Sequence, residues 1–233
     1  MNNDIKNDEQ NNERLKTIFS RVGKEFGYKS VNAEFMEFSE VKVRWQRSSD
    51  WIDFRISDFL NDAPSKALEG LARSLFKRLG CGESEYSPEL LEWITKPEFS
   101  KNKNHIYMER NTQYLNTVEG GAKNLKDSYY RLVEEGLIPD DLSVTISWEK
   151  PNDRQKVGHC SVLMRMVAIS KRLDNHEVPD YVLDYCLYHE LCHIVVGYDP
   201  DGNIHDDKYC ELEDRYPAKA EALDWLRTHD SYI

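Results

Sequence analysis

The chain has 233 residues, 42 of them acidic and 31 basic, for a net charge of −11. That length suits one domain carrying an insertion and allows a sizeable core. A hydrophobic content of 39% with 11% aromatics excludes a wholly disordered chain. No uninterrupted apolar run approaches the ~20 residues of a membrane helix, and the acidic balance argues against non-specific nucleic-acid binding, because phosphate contacts need Lys and Arg.

Residues 1–13 are polar, Asn-rich and acidic, without the apolar core of a secretory signal, and are expected to form a disordered tail. Residues 33–60 alternate apolar and polar side chains through Val41–Trp45 and again through Ile52–Ile56. Ser48, Ser49 and Asp50 supply a turn, which predicts a hairpin with one buried face. Leu68, Leu71, Ala72, Leu75, Phe76 and Leu79 recur at helical spacing between Pro64 and Gly80. A shorter helix is expected to start at Ser87-Pro88. Residues 101–104 suggest a loop, and residues 122–135 a helix ended by Gly136 and Pro139. Segments 143–148 and 161–170 read as two further strands. A helix follows from Pro179 to about Val196 with Gly197 as its stop, and then two more, around 206–215 and 217–228.

The residues that carry chemistry are His189-Glu190-Leu191-Cys192-His193. Two histidines four apart on a helix share a face, so both rings can reach one metal ion, and the glutamate beside the first can act as a base. A catalytic zinc site takes three protein ligands and keeps an open position. His205 is the favoured third ligand, because the turn formers of residues 198–203 can reverse the chain and return it. Glu211 and Glu213 are the alternatives. Two surface histidines on an ordinary helix would give the same spacing with no function.

Several segments resemble a known group. The motif, then His205 followed by Tyr209, Tyr216-Pro217 and Trp225-Leu226, resembles the SprT-like zinc metallopeptidases and their YgjP-like relatives. Val43–Arg47 resembles the basic-aromatic strand of the YgjP-like group, and Val178–Tyr185 the lead-in to the metal helix. The resemblance covers roughly residues 40–60 and 143–228. It implies an α+β, zincin-like fold, with a small twisted sheet packed on the metal-binding helix. Residues 14–233 would then form one metallopeptidase domain with a helical insertion at about 81–140. It also implies a zinc cofactor held by His189, His193 and His205, and peptide-bond hydrolysis through a zinc-bound water activated by the catalytic Glu190. Tyr188, Tyr198, Tyr209 and Arg165 are candidates for stabilising the oxyanion.

The alternatives are a YgjP-like zinc-dependent nucleotide phosphohydrolase, with Arg44, Arg47 and Arg55 holding phosphates, and a non-catalytic zinc-stabilised binding module. The arginines alternate with apolar residues, which favours a solvated basic face over a nucleic-acid surface. Residues 178–233 carry 13 acidic and 4 basic side chains, which would repel a phosphate backbone. The partner expected is therefore a polypeptide substrate, with neither nucleic acid nor membrane. Cys81, Cys160, Cys186, Cys192 and Cys210 are too sparse for a disulfide scaffold and point to reduced thiols in the cytoplasm. Cys192 is expected on the helix side away from the metal ligands. His105, His159, His176 and His229 have no partner spacing.

Overall fold

A computed structural model describes residues 2–82, 85–151 and 156–229. The chain is mixed α+β and divides into two compact units, residues 1–99 and 100–233. The sequence reading groups residues 14–233 as a single domain after a disordered tail. Here the tail residues belong to a helix, α1 (Asn2–Glu25). Leu15, Phe19 and Val22 recur at helical spacing and are buried, so the apolar stripe of α1 starts only after its polar first half.

In the first unit, β1 (Ser30–Met36), β2 (Val43–Arg47) and β3 (Trp51–Ser57) form a sheet in the order β1-β3-β2. β1 runs parallel to β3, and β2 antiparallel to it. The predicted hairpin is β2–β3. Ile52, Phe54 and Ile56 of β3 are buried, whereas β2, at the sheet edge, is largely exposed. Ser65–Cys81 form α2 and Pro88–Ile94 form α3, where Ser87 caps the helix by accepting from Leu90 N–H. Phe54 packs edge-on against Phe19 of α1 and Phe76 of α2, at centroid distances of 5.1 and 5.3 Å.

α4 (Pro97–Arg110) takes up residues 101–104, which the sequence suggests as a loop. Its Asn104 donates to Met164 O at 2.7 Å, so a polar residue supplies an attachment that apolar periodicity does not reveal. In the second unit, β4 (Thr145–Glu149), β5 (Gly158–Ser161) and β6 (Met166–Ser170) form a sheet in the order β4-β6-β5. β6 is parallel to β4 and antiparallel to β5. The expected strand 161–170 is broken because Arg165 adopts a left-handed backbone (φ 49°), and the chain reverses between β5 and β6. Residues 114–117 hydrogen-bond along β4, so β5 is the open edge among the described residues.

The sheet and α5 (Leu125–Glu134) pack against α6 (Asp180–Val196), and α7 (Asp207–Glu213) and α8 (Lys219–Thr228) follow. α6 is apolar on almost every side rather than amphipathic. Val182, Leu183, Cys186, Leu187, Leu191 and Cys192 are all buried, as expected of a helix enclosed by a core. Two polar attachments fix its approach. Asp174 accepts from the N–H groups of Gly121, Ala122 and Lys123 at 2.6, 2.9 and 2.8 Å, which sets the loop before α5. Arg131 of α5 then grips the buried Asp184 of α6 through two bonds of 2.7 and 2.6 Å, and the Ser128 hydroxyl donates to the same carboxylate. No helix among the described residues is long and apolar enough to cross a membrane.

Candidate functional site

α6 carries His189 and His193 one turn apart, Pro179 starts it, and Gly197 ends it with a positive φ of 97°. The following loop turns back through local bonds. The Asp199 carboxylate accepts from Asp201 N–H at 2.9 Å and Asn203 N–H at 3.1 Å, and Gly202 supplies a positive φ of 76°. Asp206 caps α7 by accepting from Tyr209 N–H at 2.8 Å, and so anchors the residues beside His205. The result is convergence. One ligand atom each from His189, His193 and His205 lies within 4.8 Å of the others.

Glu213 is not part of this cluster. Its Oε1 lies 2.6 Å from His189 Nδ1 and accepts from the Tyr185 hydroxyl at 3.0 Å, while its Oε2 accepts from Lys219 Nζ at 2.6 Å. A carboxylate on Nδ1 fixes the ring and its tautomer and leaves Nε2 free as a lone-pair donor. The third-ligand alternative Glu213 therefore occupies a supporting position, and Glu211 is exposed outside the cluster. Burial raises the Glu213 carboxyl, but the bonds from Lys219, His189 and Tyr185 outweigh it and hold the group down at about 2. The Tyr209 ring stacks on His193 at 4.4 Å, and its hydroxyl lies 2.8 Å from His189 Nδ1.

Burial lowers His193 to about 4, with help from His189 and His205, so the ring is neutral at pH 7, as a metal ligand must be. Glu190 is buried and lines the same cleft. Burial lifts its carboxyl to about 8, opposed by Lys156 and reinforced by Glu149. A divalent cation held by the imidazoles would act in the opposite sense.

Comparison with protein-family models, curated proteins and solved structures finds no match.

The cleft is about 570 Å³ and is lined along one side by β5 and the residues before it, Lys156 to Cys160. Sequence reasoning missed Gly158. A Cβ there would lie 2.5 Å from Glu190 Oε1 and 2.7 Å from its Cγ, so the strand leaves room for the glutamate only because this residue has no side chain. His159, given no role from the sequence, also lines the cleft and stacks on Tyr114.

None of Tyr188, Tyr198, Tyr209 and Arg165 is among the cleft-lining residues. The Tyr188 hydroxyl donates to Leu212 O at 2.5 Å, and Arg165 donates to Ser143 O, so these two groups are engaged elsewhere. Cys192 is buried and absent from the cleft lining, as its place in the motif predicts. Cys160, Cys186, Cys192 and Cys210 are free thiols.

Proposed function

We propose that this chain is a zinc-dependent metallopeptidase of zincin type that hydrolyses peptide bonds in polypeptide substrates. The observation that carries the reading is the convergence of three imidazoles beside a buried glutamate in one cleft. The donor set fits zinc: three histidines, the lone pairs of two of them secured by Glu213 and by burial, and no fourth protein ligand in the cluster among the described residues. A purely structural site usually closes with four protein ligands, so this set leaves the open position that catalysis needs. His189, His193 and His205 would hold the ion. When bound, zinc supplies Lewis acidity to water and to the substrate carbonyl.

The chain's own groups account for the rest. Glu190 Oε accepts a proton from the attacking water as the new C–O bond forms and the carbonyl π electrons move onto oxygen. The same carboxyl then gives the proton to the amine nitrogen, and the C–N bond breaks as the carbonyl re-forms. The open edge of β5 offers backbone donors and acceptors to an extended peptide laid along the cleft. Phosphate chemistry has less support. Among the described residues Lys156 is the only lysine or arginine lining the cleft, and its lining does not include Arg44, Arg47 or Arg55.

The test pairs metal analysis with cleavage of casein and quenched peptides. Wild type is expected to carry near-stoichiometric zinc, His205→Ala to lose it, and Glu190→Gln to keep it while cleavage drops about 10²–10⁴-fold. Full cleavage by Glu190→Gln, or wild type that takes up no zinc, overturns the reading.

A further inference from the structure

The cleft is not polar throughout. Beside Glu190 and the histidines its lining includes Val162, Cys186, Ile204, Leu223 and Leu226. Leu223 and Leu226 stand three apart on α8 and so share a helix face. Leu226 is 7% exposed, but Leu223 is 45% and Ile204 62% exposed. A single exposed aliphatic residue is ordinary on a protein surface. Two on the rim of a cleft that also contains convergent titratable groups mark a place where an apolar group is bound.

Charge narrows the choice of occupant. Glu190 lies within the cleft, and among the described residues Lys156 is its one lysine or arginine, so an acidic side chain finds little to pair with. The wall of leucine, isoleucine and valine has no side-chain hydrogen-bond donor or acceptor with which to meet a polar one. The wall lines the same cleft as the residues that would perform the chemistry, which places a side chain seated on it near the reacting bond.

We infer that the Val162–Leu223–Leu226 wall is a specificity subsite for a large aliphatic or aromatic side chain flanking the scissile peptide bond. The inference rests on the peptidase reading and names the substrate class for it. Removing one methylene from a group in a hydrophobic pocket changes discrimination 10- to 200-fold, so a full leucine or phenylalanine side chain is expected to give at least a tenfold preference over alanine.

The experiment has two arms on the zinc-loaded full chain. In the first, fluorescence anisotropy measures binding of labelled peptides with Leu, Phe, Ala or Asp at one central position to Glu190→Gln, which leaves them uncut. In the second, wild type is offered the same peptides for cleavage. Binding at least tenfold tighter for Leu and Phe than for Ala and Asp supports the subsite. So does a fall of that ratio toward one in Glu190→Gln/Leu223→Asp, with Leu223→Met in the same background restoring it. Leu223 is largely exposed, so the aspartate is not expected to unfold α8, and circular dichroism checks this. Equal binding of all four peptides, or an unchanged ratio in the Leu223→Asp variant, overturns the subsite. Selective binding without any cleavage by wild type overturns the peptidase reading, and with it the subsite's place beside a scissile bond, and leaves only an apolar side-chain site. Cleavage without selectivity overturns the subsite and supports the peptidase reading.

Discussion

Gly158→Ala isolates the fit between β5 and the glutamate of α6. The added Cβ would meet Glu190 at Oε1 (2.5 Å), Cγ (2.7 Å) and Cδ (3.0 Å). Because Cγ is among the clashing atoms, rotation of the carboxylate tip cannot relieve the contact, and χ1 must change. Few χ1 rotamers are open to a helical residue, so the strain of an overpacked site, about 1–3 kcal/mol, is expected. Gly158 has no left-handed backbone, so alanine by itself should stabilise the strand by about 0.4–1 kcal/mol. The two effects have opposite sign and can be separated. In wild type Gly158→Ala should destabilise. In a Glu190→Ala background it should be neutral or stabilising; the stabilisation cancels in a double-mutant cycle, which leaves the strain itself as the coupling, roughly 1–3 kcal/mol. Urea unfolding of the four proteins measures it. A shifted χ1 also displaces the carboxylate, and a displacement of about 1 Å costs on the order of 10²-fold in rate, so cleavage should fall while bound zinc stays constant. Additive stabilities would refute the contact, and an undiminished cleavage rate would refute the role given to Glu190.

Two other predictions follow from polar clusters. Asp174→Ala should cost roughly 3 kcal/mol, because three backbone N–H groups lose a charged acceptor. Burial raises the Asp174 carboxyl, but Lys171 and those N–H groups outweigh it and hold it well below the usual range. Its contribution is therefore full above the unfolded-state pKa near 4 and is lost as pH falls toward the lower folded value; stability curves of wild type and variant that stay parallel between pH 5 and 2 would contradict this. Glu213→Ala should weaken zinc binding about 10- to 100-fold by releasing His189 Nδ1, measured by chelator competition, and an unchanged affinity would sink the supporting role.

What the sequence discloses depends on how local the cause is. The i, i+4 spacing of His189 and His193 is set by helix geometry, so their shared face is legible without a structure. The apolar repeat from Leu68 to Leu79 likewise marks α2. The return of His205 follows from turn residues whose bonds stay within five positions. α4 is opaque because its attachment is an asparagine to a carbonyl 60 residues away. The break at Arg165 carries no glycine, so the sequence reads on through it as strand. Glu213 is visible as a carboxylate near the motif, but whether it faces a metal or the back of an imidazole depends on how α7 packs. Gly158 stands 32 residues before the glutamate it accommodates, and no spacing rule connects them.

The chain order of the second unit also sets a timetable. Synthesis runs from the N-terminus, and domains generally fold as units in that order. Residues 1–99, the strands β1 to β6 and the Asp174 attachment are therefore on hand before His189 is made. β6 cannot be fully buried until α6 emerges to cover it, and the turn that returns His205 comes later still. The histidine cluster is thus completed only after α6 has covered the sheet. An ion taken up there would tie α6, the central helix of this unit, to the turn before α7, and so join the core to the last-made helices.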